Sequence, residues 1–97
     1  MTQNVYRVVT SQANDITWIS PTIYLTRENV LFAASEQAKT LQKYAEMTIE
    51  EYQGHRFDSN CLRECGRDNW MTVERLWKVS DKNGYTKVIG IVTYQAV

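Results

Sequence analysis

The sequence predicts a small α+β domain, in which an antiparallel sheet with a C-terminal hairpin packs against one or two helices. Three observations support this fold class. The chain opens with a β-branched and aromatic segment at residues 4–10. Apolar residues in the middle of the chain recur at alternating spacings of three and four, as on one face of a helix. Two strand-like segments near the C-terminus flank the pair Asn83-Gly84, which favours a tight hairpin turn.

The chain length predicts a single domain that spans residues 1–97. A hydrophobic fraction of 43% supplies enough apolar side chains for a core of that size. The N-terminus lacks the basic start and apolar run of a signal peptide, and no segment approaches the roughly 18 apolar residues of a membrane span. We therefore expect a cytoplasmic protein whose two cysteines stay reduced.

The first quarter of the chain predicts short strands separated by turns. Residues 4–10 form the first strand, and the polar residues 11–15 indicate a turn. Further short strands are expected at residues 16–19 and 22–26, on either side of Pro21.

The central helix has two possible starting points. In one interpretation, a single helix runs from about Glu28 to Gln53. In the other, residues 30–33 form a strand and the helix begins after Ser35, whose hydroxyl would cap the free N–H groups. We favour the second interpretation, because Val30-Leu31-Phe32 is apolar in every direction.

The residues after this helix predict a second, shorter one. Thr48 and Glu51 fit a capping box, in which each side chain accepts a hydrogen bond from the other residue's backbone N–H. Gly54 is a natural stop for such a helix.

The C-terminal hairpin is predicted from residues 71–79 and 85–94. A two-residue type I′ turn at Asn83-Gly84 sets the expected register. In that register, Trp77 covers the space left by Gly90. The opposed pairs on one side are Val79 with Val88, Trp77 with Gly90, and Val73 with Tyr94.

The charge balance removes the usual electrostatic reason to expect a nucleic-acid or membrane binder, because the formal net charge is zero. The two halves differ slightly. Residues 1–53 carry four Lys and Arg against six Asp and Glu, and residues 54–97 carry seven against five.

Residues 55–70 contain the single histidine and both cysteines of the chain. Three residues separate Cys61 from Cys65, whereas structural zinc sites and thioredoxin-like redox pairs use two. We therefore expect no metal site at His55, Cys61 and Cys65. The two thiols are expected to pack as small hydrophobic groups.

Motifs for catalysis are missing from the sequence. It has no G-x-S-x-G, no Walker A loop and no G-x-G-x-x-G. The adjacent pair Glu50 and Glu51 would point about a hundred degrees apart on a helix, so the two carboxylates would not form a dyad. We predict a protein that is not an enzyme and needs no cofactor or small-molecule substrate.

An arginine-rich segment gives one alternative function, a small nucleic-acid-binding regulator. Arginines would hold phosphates, and aromatic rings could stack on bases. Three acidic residues alternate with the arginines and cancel most of their field, which favours a salt-bridged connector. The candidate residues are Arg56, Arg63, Arg67 and Trp70.

An acidic group of residues gives the preferred interaction surface. Glu46 and Glu50 would lie one helical turn apart, and such a like-charge pair costs a few tenths of a kcal/mol. A solvated helix face would explain this pair. The functional interpretation is an acidic patch that meets Lys or Arg on a partner protein. The candidate residues are Glu36, Glu46, Glu50 and Glu51.

The order of elements resembles the small anti-CRISPR proteins of phages and mobile elements. The resemblance comprises the N-terminal strand, the alanine-rich helix at residues 33–39 and the closing hairpin, and it includes no diagnostic motif. It implies a non-catalytic inhibitor in the cytoplasm of an infected bacterium. Such an inhibitor binds a CRISPR surveillance complex of the Cascade type, with type I-F a reasonable target, and blocks binding of target DNA. Some members mimic DNA, which this neutral chain would do locally through its glutamates.

Overall fold

A computed structural model of the protein describes residues 3–12, 15–45, 48–59 and 71–96. Within these ranges, five strands form one antiparallel sheet in the order β2-β1-β5-β4-β3, and one helix packs against it. The predicted α+β class with a C-terminal hairpin is confirmed. The elements are β1 Gln3–Gln12, β2 Asp15–Ile19, α1 Arg27–Ala45, β3 Thr48–Ser59, β4 Met71–Ser80 and β5 Thr86–Ala96.

The strands predicted at residues 4–10 and 16–19 are present, but their bounds differ from the prediction. β1 continues to Gln12 and β2 begins at Asp15, so most of the predicted turn at 11–15 belongs to strands. The strand predicted at 22–26 is wrong. Only Tyr24 pairs there, through two backbone hydrogen bonds of 2.8 Å with Tyr6. The chain then turns into α1 at once, because Thr26 caps that helix.

Helix α1 begins nine residues earlier than in the interpretation we favoured. The Thr26 hydroxyl accepts a hydrogen bond from the Asn29 N–H at 3.2 Å, so Thr26 is the N-cap. The predicted strand at 30–33 and the helix start after Ser35 are both wrong. The other interpretation, a single helix from about Glu28 to Gln53, gave the start to within one residue. Its end is wrong, because α1 ends at Ala45.

The second helix predicted at Thr48–Gly54 is wrong as well, because these residues lie in β3. Glu50 lies opposite Lys78 of β4, and Ile49 lies opposite the buried Val79. A capping box satisfies two backbone donors of one helix end. Pairing with β4 engages backbone groups of β3 in residues 48–51 and 55–59 and also packs Ile49 against the core.

The hairpin between β4 and β5 is confirmed with a longer loop and a shifted register. Residues 81–85 form the loop, in which the Asp81 carboxylate accepts hydrogen bonds from the Asn83 and Tyr85 N–H groups, both at 2.9 Å. Gly84 takes a φ of 85°, which glycine adopts without strain. Val79 therefore lies opposite Lys87 and not Val88.

A bulge in β4 changes the register a second time, between Arg75 and Trp77. Trp77 lies opposite Ile89, and Gly90 lies opposite Arg75, so the predicted pair of Trp77 with Gly90 is wrong. A Cβ atom at position 90 would overlap the backbone carbonyl of Glu74. Glycine is required here by the close approach of the two strands.

Apolar side chains are buried on both faces of the sheet. Val73 and Tyr94 lie on the face opposite the helix, whereas Val79 lies on the face that the helix covers. The hairpin pairs that we predicted on one side of the sheet are therefore divided between its two faces. The helix-side core comprises Val8, Val30, Ala34, Ala38, Leu76, Val79, Ile89 and Ile91. The opposite-face core comprises Val5, Val9, Val73, Val92 and Tyr94.

An ion pair fixes the start of α1 to the sheet. Arg27 donates a hydrogen bond of 2.8 Å to the carboxylate of Glu74 on β4. This bond raises the pKa of Arg27 above its ordinary value, against the opposing effect of partial burial. While the Glu74 carboxylate is ionised, the contribution of the Arg27 charge is present below the ordinary arginine pKa and is lost when the pH rises through the raised value.

Candidate functional site

One uncharged segment runs along the outer edge of β1. We call residues 16–26, ITWISPTIYLT, the edge segment. β2 pairs with the last residues of β1, and the Ser20 N–H then donates to the Val8 carbonyl at 2.8 Å. The bridge between Tyr24 and Tyr6 continues the contact farther along β1. The segment therefore covers the edge of β1 and forms the rim of the molecule on that side.

Large apolar side chains of the edge segment are exposed. The exposed fractions are 41% for Trp18, 52% for Ile23 and 61% for Leu25. Phe32, on α1 a few residues later, is 68% exposed. Tyr85 in the hairpin loop, at 69%, is the other large hydrophobic residue with comparable exposure in the described part of the chain. Four of these five exposed residues thus lie in the edge segment or on α1 shortly after it, and we call these four residues the edge surface.

Backbone pairing explains why two of these side chains face solvent. Tyr24 is held by its hydrogen bonds to Tyr6 and packs against the helix-side core. Neighbouring residues of an extended chain point in opposite directions. Ile23 and Leu25 flank Tyr24 and are consequently turned away from that core.

Two open grooves adjoin α1 beside this edge. The Phe32 groove has a volume of about 500 Å³, and the Trp18 groove has a volume of about 390 Å³. Gln37 lines both, so the grooves meet at this residue. The Phe32 groove is lined by Tyr24, Asn29, Phe32, Ala33, Glu36, Gln37 and Thr40. The Trp18 groove is lined by Thr10, Gln12, Thr17, Trp18, Gln37, Leu41 and Lys87.

Among the described residues, one charged side chain lines each groove. In the Phe32 groove, the Glu36 carboxylate lies 3.4 Å from the Lys39 ammonium, and both side chains are exposed. Such surface pairs contribute little to stability, so Glu36 stays available to a binding partner. In the Trp18 groove the charged residue is Lys87. The arrangement combines exposed aromatic side chains with grooves that are lined mostly by polar residues, and interfaces between proteins contain both kinds of residue.

The structure does not bring the predicted acidic residues together on a helix. Glu36 lies on α1 beside the Phe32 groove, whereas Glu50 and Glu51 are consecutive residues of β3. Consecutive strand residues point to opposite faces of the sheet. Glu46 lies outside the described residues. The acidic helix face that we expected is wrong as a geometry, and a binding role for each glutamate stays a prediction.

Most of the arginine-rich segment lies outside the described residues, including Arg63, Arg67, Trp70 and both cysteines. Arg56 lies in β3 opposite Glu74, and His55 lies opposite Arg75. Among the residues that are described, no group of three or more His, Cys, Asp and Glu side chains is placed to hold a metal ion.

Sequence reasoning missed the four residues of the edge surface. The signal was the absence of charge over eleven consecutive residues, which we divided into two strands and a proline turn. An uncharged run with exposed β-branched and aromatic residues at a sheet edge is a recognised feature of interaction surfaces. Its exposure depends on pairing with β1, which the sequence alone does not specify.

Comparisons with known proteins give no indication of the function. No family model matches the chain, and no match was found among curated proteins or solved structures. In the described ranges, the helix lacks the apolar character that a membrane span would need.

Proposed function

We propose that the protein is a non-catalytic inhibitor that binds another protein through the edge surface. The concentration of Trp18, Ile23, Leu25 and Phe32 along one edge supports this proposal. Monomeric proteins rarely leave large apolar patches exposed, and such patches mark interaction sites. Aromatic anchors beside open grooves are also the usual centres of binding energy in protein interfaces.

The chemistry of the surface is sufficient for specific binding. Burial of one large apolar side chain contributes about 1.5–3 kcal/mol before the costs of association are subtracted. Four such side chains can therefore support a stable complex. Glu36, Gln37 and Lys87 supply polar groups beside them that can fix the orientation of the partner.

The partner that the resemblance implies is a CRISPR surveillance complex in the bacterial cytoplasm, with the type I-F complex the first to test. We propose that the bound inhibitor occupies the surface where target DNA would bind. Local mimicry of DNA is less favoured than occlusion, because Glu36 belongs to α1 while Glu50 and Glu51 belong to β3.

The chain offers a matched pair of variants to test the proposal. Phe32 and Tyr85 are aromatic residues with nearly equal exposure, 68% and 69%, but Tyr85 lies in the hairpin loop and is not part of the edge segment or of either groove lining. We expect Phe32→Ala to weaken binding to a purified type I-F complex by about tenfold or more, as at an interface hot spot. Tyr85→Ala should bind like the wild type. Target-DNA binding by the complex should be blocked by the wild type and partly restored with Phe32→Ala.

Two outcomes would reject parts of this proposal separately. Wild-type binding by both Phe32→Ala and Trp18→Ala would remove the edge surface as the contact. A complex that neither binds the protein nor loses DNA binding would remove the CRISPR partner. Direct binding to DNA or RNA that falls steeply with salt would instead favour the nucleic-acid alternative.

A further inference from the structure

The Phe32 groove combines aromatic rings with a carboxylate. It is lined by one stripe of α1 and by Tyr24 of the edge segment, so its lining contains two aromatic residues, Tyr24 and Phe32. Glu36, one helical turn after Phe32, supplies the carboxylate. The face of an aromatic ring attracts a cation, and so does a carboxylate. Both features therefore favour a positively charged group in this groove.

The uncharged polar residues of the lining supply hydrogen-bond acceptors. Asn29 and Gln37 each carry an amide oxygen. The Thr40 hydroxyl donates to the backbone carbonyl of Glu36 at 2.9 Å, and its oxygen can accept a bond in turn. In the described part of the chain, no Lys or Arg lines the groove. The polar groups thus suit a ligand that donates several hydrogen bonds.

An ion pair on α1 shows that the Glu36 carboxylate already attracts a cation. The Lys39 ammonium lies 3.4 Å from it, and the two side chains are 69% and 52% exposed for Lys39 and Glu36. Lys39 itself is not part of the groove lining. Because a pair this exposed contributes little to stability, another cation can replace Lys39 at small cost.

We propose that the Phe32 groove binds an arginine side chain of the partner protein. The inference rests on the proposed function, in which Phe32 contacts that partner. The guanidinium stacks on the Phe32 ring and donates to the Glu36 carboxylate, while the apolar stem of the arginine covers Ala33. Arginine is favoured over lysine, because its planar group stacks on a ring and donates several hydrogen bonds at once.

A wholly apolar side chain suits this groove less well. It would cover Glu36 and remove the carboxylate from water without offering a hydrogen-bond donor, which is costly. The groove volume of about 500 Å³ lies in the range of roughly 300–1,000 Å³ that holds a small ligand, so residues that flank the arginine can enter with it.

Titration of the isotope-labelled full chain with the peptide acetyl-Leu-Arg-Leu-amide, followed by two-dimensional NMR, tests the proposal. We expect saturable shifts of the backbone amide signals of Phe32, Glu36 and Thr40. A matched peptide with citrulline in place of arginine keeps the shape of the side chain and loses its charge. It should bind about fivefold more weakly.

Variants of α1 give expectations of opposite sign. Glu36→Gln and Phe32→Ala should each weaken binding of the arginine peptide about fivefold. Lys39→Gln removes the competing cation and should strengthen it. Glu28→Gln is the matched control and should bind like the wild type, because Glu28 is an exposed acidic residue of α1 outside the groove lining.

Three results would overturn the proposal. They are the absence of saturable shifts at Phe32 and Glu36, equal binding of the arginine and citrulline peptides, and wild-type binding by Glu36→Gln. Glu36 is exposed, so this last variant should fold like the wild type. The peptides do not involve the surveillance complex. A negative result with them therefore rejects the arginine site alone, while Phe32→Ala and Trp18→Ala with the complex decide the proposed function.

Discussion

At the scale of single residues, Gly84 and Gly90 are required for different physical reasons. Gly84 is needed for its φ of 85°, and no atom lies near a Cβ placed there. Gly90 is needed for space, since a Cβ would meet the Glu74 backbone at the bulge of β4. The sequence pointed to the first through the Asn-Gly pair. It missed the second, because the close approach depends on a bulge that no local pattern marks.

Gly90→Ala should therefore lower the free energy of unfolding by about 2–3 kcal/mol, the effect of overpacking against a rigid backbone. Thermal and urea unfolding followed by circular dichroism would measure the loss. Gly84→Asn is the control, because asparagine tolerates a positive φ, and it should cost much less. Equal stability of Gly90→Ala and the wild type would show that β4 and β5 are not so close at this point.

At the scale of elements, α1 approaches the sheet through small residues. Val30, Ala34 and Ala38 are spaced four apart and buried against the helix-side core. Their spacing places them on one face of α1, which the sequence predicted in part. Phe32 faces solvent in the same turn. The residues Val30-Leu31-Phe32 are therefore not all buried. We had assigned them to a strand because all three are apolar, and for that reason we placed the start of the helix too late.

A larger side chain at the helix–sheet contact should separate the two elements. We expect Ala34→Leu to reduce stability by about 1–3 kcal/mol, because no space exists beside a fully buried alanine. Gln42→Leu, on the exposed side of α1, introduces the same side chain without this penalty. Chemical unfolding of both variants compares them directly. A stable Ala34→Leu protein would mean that α1 packs more loosely than the structure shows.

The contrast between β1 and β3 shows how far the sequence predicts elements. β1 was predicted because Val5, Tyr6, Val8 and Val9 favour a strand locally. β3 was misassigned because Thr48 and Glu51 form a local helix-capping pattern. Its strand structure comes from β4, which pairs Thr48 with Ser80 across about thirty residues of sequence. Local patterns are readable in a single sequence, whereas such long-range pairing is not.

At the scale of the whole molecule, the edge surface adjoins β2 at one end of the sheet, and β3 lies at the other end. Of the acidic residues chosen from the sequence, Glu36 lies on α1, while Glu50 and Glu51 lie on β3, because β3 replaces the second helix that we expected there.

Hydrogen exchange measured by mass spectrometry, for the free protein and for its complex with the type I-F surveillance assembly, tests the central claim most directly. Contact through the edge surface should slow exchange in residues 16–26 and in the first turns of α1, while the hairpin loop at 81–85 stays unchanged. Slowed exchange confined to the hairpin loop or to β3, with residues 16–26 exchanging as in the free protein, would contradict the claim that this edge binds the partner.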